Sequence, residues 1–169
     1  MQQQVSEDPR KAAVDLYWLA FLLTGRQETS VDIAADAAVS EDPANPFFAD
    51  WVRGWQRRLV IGKALTAIHD ELAVSAGLTD RARFKGSFRP PRNWSLSPGT
   101  TKADLERALL AIDLFPRAAL LLLVFEGLRV ADAQTLLDAK PELLEKAQAI
   151  GLCELTANLA AMKASVVST

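Results

Sequence analysis

The sequence from residue 113 to residue 160 is DLFPRAALLLLVFEGLRVADAQTLLDAKPELLEKAQAIGLCELTANLA, and it predicts three consecutive helices with short joints. Pro116 suits the first turn of a helix, where the missing N–H of proline costs no hydrogen bond. Gly127 ends the apolar run, as glycine commonly does just past a helix C-terminus. A short helix is predicted over about Val130–Leu137, and Pro141 opens the last one. This order of long, short and long helices is the outline of a helix-turn-helix unit.

The last of these helices has an unfavourable charge for reading duplex DNA. Such helices depend on Lys and Arg contacts to phosphates, whereas here Glu142 and Glu145 stand against Lys146 alone. Gln148 is a candidate for reading an adenine edge. Gly151 is expected to interrupt the helix. Lys146 and Gln148 are therefore the candidate DNA-binding residues of a helix that we do not expect to recognise a specific duplex.

Composition indicates an ordered, soluble protein. Of the 169 residues, 50% are hydrophobic and 24% are charged, which is ordinary for a globular chain. The apolar run Ala118–Phe125 is far shorter than the ~20 residues that span a bilayer, and the polar, acidic N-terminus does not resemble a signal peptide. Cys153 is the single cysteine, and His69 the single histidine, so no disulfide or metal site is predicted. We expect a cytoplasmic protein that does not bind a membrane.

Charge is distributed unevenly along the chain. Residues 1–50 hold three Lys/Arg and nine Asp/Glu, residues 51–102 hold ten and three, and residues 103–169 hold six and nine. The net charges of these parts are −6, +7 and −3. Such asymmetry is typical of a segment that faces a polyanion, but the three parts could equally pair with one another. The sequence leaves both interpretations open.

Helical periodicity continues through the rest of the chain, and no stretch alternates long enough to predict a strand. End signals predict helices over about 9–24, 31–39, 47–77 and 102–113. We therefore predict an all-α protein of two small helical domains, residues 1–77 and 102–169, of which the second is the helix-turn-helix domain. Residues 78–101 form a basic linker. Phe84, Phe88 and Trp94 lie among its basic residues, a pattern typical of nucleic-acid binding, although the linker could instead pack on the acidic first domain.

The helix that begins near residue 47 carries the main candidate site. Basic side chains can neutralise phosphates, and an aromatic ring can stack on an unpaired base. We expect the tryptophans of this helix to belong to the core, and we leave the arginines open between DNA contacts and a solvated face. The candidate DNA-binding residues here are Arg53, Trp55, Arg57, Arg58 and Lys63.

Several of these segments resemble extracytoplasmic-function sigma factors. The order Leu114-Phe-Pro-Arg, apolar run, Phe125-Glu-Gly-Leu and short helix is similar to the promoter-reading domain of that family. Leu16-Tyr-Trp-Leu-Ala-Phe-Leu-Leu-Thr-Gly-Arg and Phe48-Ala-Asp-Trp-Val-Arg-Gly-Trp are similar to helices of its promoter-melting domain. The resemblance implies that Asp32 and Asp36 contact RNA polymerase.

The resemblance also implies a function, namely transcription initiation with core RNA polymerase and promoter DNA as partners. It makes an anti-sigma factor a further candidate partner, and it implies no cofactor. No nucleophile–base pair, phosphate-binding glycine loop or metal-ligand spacing is found in the sequence, so we do not expect an enzyme. The alternative is a degenerate sigma fold that acts as a protein-interaction or regulatory module without binding DNA.

Overall fold

The computed structural model describes residues 9–38, 49–84 and 95–167, and every regular element in these ranges is helical. The predicted all-α fold class is thus confirmed for the described residues. The helices are α1 Pro9–Thr24, α2 Gln27–Ala38, α3 Ala49–Ala67, α4 His69–Arg81, α5 Lys102–Leu110, α6 Leu114–Leu120, α7 Val130–Leu137 and α8 Pro141–Val167. The chain divides into two compact units, Met1–Ile68 and His69–Thr169.

The first unit is built from α1, α2 and α3, which all pack against one another. Each helix turns one apolar face inward, and the members of these faces recur at intervals of three and four residues, as amphipathic helices require. The buried residues include Leu16, Leu19 and Leu23 of α1, Ile33, Ala34 and Ala37 of α2, and Val60, Ile61 and Ala64 of α3.

Hydroxyl groups fix the joint between α1 and α2. α2 begins at Gln27, earlier than the predicted start at Val31. The Arg26 N–H donates to Thr24 Oγ1 over 3.1 Å, and the buried hydroxyls of Thr24 and Ser30 lie 3.0 Å apart. Ser30, the residue before that predicted start, lies inside α2, and its hydroxyl donates to the Arg26 carbonyl one turn earlier.

The long helix predicted over residues 47–77 is two helices in the structure. α3 ends at Ala67 and α4 begins at His69. α4 packs on α6 and α8 and belongs to the second unit, although the sequence analysis assigned residues 69–77 to the first domain. The predicted start at Phe47 lies outside the described residues, as do residues 85–94 of the predicted linker.

α5 begins where the sequence predicts. Thr101 is its N-cap and accepts a hydrogen bond from the Asp104 N–H over 3.1 Å, while the Asp104 carboxylate accepts from the Thr101 N–H. This reciprocal pair is a capping box. The hydrogen bonds from Thr101 lower the pKa of Asp104 below its usual value.

α6 is the most buried helix of the second unit. Residues 115–122 are all buried, and α6 packs on both α4 and α8. Ser75 of α4 accepts a hydrogen bond at 2.9 Å from the Phe115 N–H in the first turn of α6. Arg117 donates from Nη1 to the carbonyls of Leu110 and Ile112, over 3.2 and 3.1 Å. Burial lowers the pKa of Arg117, and the charge of Asp113 opposes that effect.

The end of α6 follows the predicted glycine signal, with one difference. Residues 121–125 form a π-helical turn, in which the Glu126 N–H donates to the Leu121 carbonyl at 2.8 Å. Gly127 then has a φ of 64°, a left-handed conformation that glycine adopts without strain. At the end of α7, Asp138 adopts the same left-handed conformation, with a φ of 46°.

α8 passes through Gly151 without interruption, so the predicted break there is wrong. Gly151 is buried, and a Cβ atom built on it would lie 2.8 Å from the Pro116 carbonyl oxygen and 3.2 Å from Leu120 Cβ. The glycine therefore lets the backbone of α8 approach that of α6. This close contact between the two helices, rather than a helix break, explains why a glycine occupies position 151.

α8 also has the length and composition of a bilayer-spanning helix. Its most apolar 18-residue window has a mean hydropathy of 1.3, and 17% of that window is buried within the protein. Leu144, Ala147, Leu152 and Leu155 are among its buried residues, and α6 and α7 pack against it. The expectation that the chain does not bind a membrane stays a prediction.

The close contact at Gly151 is testable by substitution. In Gly151→Ala, the added methyl group would clash with the Pro116 carbonyl, and relieving the clash would require one helix to shift. We therefore expect a net loss of about 1–2 kcal/mol in the free energy of unfolding. That loss remains after the helix propensity of alanine, worth about 1 kcal/mol over glycine, has been counted. Urea unfolding, monitored by circular dichroism, measures this change in the free energy of unfolding.

Gly77→Ala in α4 is the matched control. A Cβ atom there would lie 3.6 Å from Arg81 Nη2, an ordinary contact, so propensity alone should stabilise this variant by up to about 1 kcal/mol. If Gly151→Ala were stabilised as much as Gly77→Ala, α6 and α8 would not be in close contact at this point.

Candidate nucleic-acid interface

Two tryptophans on α3 face solvent. Trp51 is 69% exposed and Trp55 is 42% exposed, so the expectation that they belong to the core is wrong. The two residues are four apart, and the exposed Arg58 follows three residues after Trp55, so all three are neighbours along one side of the helix. We call Trp51, Trp55 and Arg58 the tryptophan face. It combines stacking surface with a positive charge.

Arg53 and Arg57 lie on a different side of α3, the side that faces α1. Together with Gln56 they line a cavity of about 70 Å³ whose α1 side includes Lys11 and Asp15. Arg53 Nη1 also lies 3.9 Å from Asp50 Oδ1. The structure therefore places these two arginines and Trp55 on different sides of α3, although all three are among the candidate DNA-binding residues.

Lys63 is engaged within the first unit. Its Nζ donates to Asp36 Oδ2 on α2 over 2.6 Å, with both side chains partly exposed. A residue predicted to contact DNA thus forms an ion pair with a residue predicted to contact polymerase. Asp32, the other polymerase candidate, lies one helical turn before Asp36 on α2 and is exposed.

The candidate residues of α8 are less available than the sequence suggested. Lys146 Nζ donates to the Asp80 carbonyl over 2.8 Å, where it satisfies an end group of α4. Gln148 is half-buried, whereas Glu142 and Glu145 are exposed. The first two turns of α8 therefore present negative rather than positive charge to solvent.

Glu154 is a further carboxylate of α8. Partial burial, and to a smaller extent the charge of Asp113, raises the pKa of Glu154 above its usual value.

Sequence reasoning missed two features of the first unit, namely the exposure of the tryptophans and the cavity beside Gln56. A signal for both was present in the spacing of α3. Gln56, Val60, Ala64 and Ile68 recur every four residues and are all buried, which places Trp51 and Trp55 outside that row. A tryptophan is so commonly buried that its residue type outweighed the spacing.

Comparisons with protein-family models, with curated proteins and with solved structures find no match to this chain.

The Lys63–Asp36 pair can be measured with a double-mutant cycle. Because both side chains are partly exposed, we expect Lys63→Ala and Asp36→Ala to show a coupling energy of roughly 0.2–1 kcal/mol. Raising the salt concentration should reduce it. The measurement is urea unfolding of the wild type, the two single variants and the double variant.

A coupling energy of zero at low salt would mean that the two side chains do not pair in solution. Arg107 and Asp104, another exposed pair, with Nη2 and Oδ1 3.2 Å apart, provide the comparison cycle in the second unit.

Proposed function

We propose that this chain is a sigma-factor-like transcription initiation protein whose first unit binds an unpaired strand of promoter DNA. The tryptophan face is the observation that carries the proposal. Large aromatic side chains left in solvent beside an arginine are suited to stacking on bases while the cation neutralises a phosphate. An unpaired strand offers both groups, whereas a duplex keeps its bases stacked.

The second unit has a different part in this proposal. When the π-helical turn is counted with α6, residues 114–125, α7 and α8 follow the long, short and long order of a helix-turn-helix. This order supports a sigma-like, two-domain organisation. However, Glu142 and Glu145 are exposed on α8 and Lys146 is bonded to α4. We infer that α8 contributes little to duplex affinity, and that the first unit supplies the main contact with DNA.

Core RNA polymerase is the protein partner that goes with this function, and the cytoplasm is the corresponding location. Asp32 is the better of the two candidate contacts, because it is exposed while Asp36 bonds to Lys63. An anti-sigma factor would be a regulatory partner of the same proposal. No catalytic step or cofactor is part of it.

The role of the tryptophan face can be tested with a fluorescently labelled single-stranded oligonucleotide, whose binding is measured by fluorescence anisotropy. Loss of one stacking side chain is worth about 1–3 kcal/mol, so Trp55→Ala should weaken binding roughly 5- to 150-fold. Trp55→Phe should keep most of the affinity, since a phenyl ring still stacks. Arg58→Ala should reduce the slope of log K against log salt by about 0.7.

Arg129→Ala is the control for charge, since Arg129 is an exposed arginine of the second unit that pairs with Asp132. It should leave both affinity and salt slope unchanged. Equal affinities of wild type and Trp55→Ala for the oligonucleotide would contradict the proposal, as would an equal loss in Arg129→Ala.

The polymerase contact is tested separately by retention of the full chain on immobilised core RNA polymerase. We expect Asp32→Ala to reduce retention strongly, because a carboxylate at an interface contributes through a charge pair. Asp70→Ala, an exposed carboxylate of α4, should have no effect. Retention that is absent in the wild type, or equal in both variants, would remove polymerase from the proposal.

A second candidate function is a protein-interaction module without DNA binding. It is favoured by a groove of about 410 Å³ on the second unit, whose lining combines apolar side chains with carboxylates. Its lining residues are Asp70, Glu71, Val74, Ser75, Leu78, Asp113 and Leu114. Under this candidate neither the oligonucleotide nor the polymerase would bind, and Trp55→Ala would change nothing in either assay.

A further inference from the structure

The cavity between α1 and α3 has an unusual lining. Among the described residues of its lining, three side chains are cationic, Lys11, Arg53 and Arg57, and one is a carboxylate, Asp15. Gln56 forms another part of the wall. At about 70 Å³ the cavity is several times larger than the roughly 10–15 Å³ that one water molecule needs, so a group of several heavy atoms can enter.

Gln56 supplies the second observation. The residue is only 2% exposed, and its Nε2 atom has no hydrogen-bond partner among the described residues. An amide donor buried without a partner costs about 1–3 kcal/mol, and such groups are rare in folded proteins. A ligand with hydrogen-bond acceptors would remove that cost.

We propose that this cavity, formed by Lys11, Arg53, Gln56 and Arg57, is a binding site for a phosphate group. Even with Asp50 beside Arg53 counted together with Asp15, the described residues at the cavity carry more cations than carboxylates, which favours an anion. The buried amide donor favours an anion that carries acceptor oxygens. Phosphate meets both conditions. The planar guanidinium groups of two arginines also match its oxygens better than point charges would.

The site is distinct from the tryptophan face. Arg53 and Arg57 turn toward α1, whereas Trp51, Trp55 and Arg58 face solvent on another side of α3. The inference therefore does not rest on the proposed binding of an unpaired DNA strand. The phosphate group could come from a free phosphate or phosphorylated small molecule, or from a nucleic-acid backbone.

Nuclear magnetic resonance of the full chain, labelled with ¹⁵N at glutamine side chains, tests the site. Inorganic phosphate is titrated against sodium chloride of the same ionic strength at constant pH. We expect the Gln56 amide signal, assigned by its absence in Gln56→Leu, to shift and saturate with phosphate alone. The amides of Gln134 and Gln148 in the second unit should not respond.

Matched variants separate binding from folding. Arg57→Ala should weaken the phosphate response about tenfold, while Arg129→Ala should leave it unchanged. Gln56→Leu should fold at least as well as the wild type, because it removes an unpaired buried donor. Phosphate should raise the melting temperature of the wild type relative to chloride, and that increase should be lost in Gln56→Leu.

An oligonucleotide arm identifies the source of the phosphate. If the single-stranded oligonucleotide shifts the Gln56 amide and inorganic phosphate displaces it, the site takes a backbone phosphate; if only inorganic phosphate shifts the amide, the site takes a small ligand. Trp55→Ala should retain the phosphate response even where it loses the oligonucleotide. The absence of any saturable shift with either ligand would overturn the proposal, as would the same shift with chloride.

Discussion

The second unit depends on the close contact between the backbones of α6 and α8 at Gly151. No side chain larger than hydrogen fits between the Gly151 Cα and the Pro116 carbonyl without displacing one helix. This approach buries α6, and side chains rather than water satisfy backbone groups at its first turn and in the joint before it. Ser75 and Arg117 replace water there, since Ser75 accepts from the Phe115 N–H and Arg117 donates to carbonyls that precede α6. The glycine and these two polar side chains therefore act together.

The basic side chains of the first unit also depend on their immediate neighbours. The basic middle of the sequence suggested one cationic surface, but its members divide among three environments. Lys63 pairs with Asp36 across helices, Arg53 and Arg57 surround a cavity against α1, and Arg58 faces solvent. Charge asymmetry along the sequence thus corresponds partly to pairing within the unit and partly to an exposed cation. The Lys63–Asp36 pair agrees with the interpretation that the parts of the chain pair with one another, and contact with a polyanion stays a prediction.

Sequence reasoning predicted the elements whose causes are local. Thr101, Gly127 and Pro141 mark helix ends through chemistry within a few residues, and the structure places helix ends at all three. Sequence reasoning failed where contacts with residues distant in the sequence determine the structure. The division of α3 from α4 carries no proline or glycine at Ile68, and Gly151 appears as a helix breaker unless its contact with α6 is known. The candidate site was predicted by residue type but not by arrangement, because the side of a helix that becomes buried depends on its neighbours.

The first half of α3 reverses the usual distribution of residues between core and surface. Trp51 and Trp55 are exposed although burying such a side chain is worth several kcal/mol. Gln56 is buried, and its Nε2 has no hydrogen-bond partner among the described residues. Either feature alone would lower stability, and α3 carries both within six residues. Positions that break the rules of packing without a structural gain are expected at functional sites, where a ligand supplies the missing contacts. The reversal is therefore the feature that supports the proposed role of α3, and the acidic helix α8 has no comparable feature among its described residues.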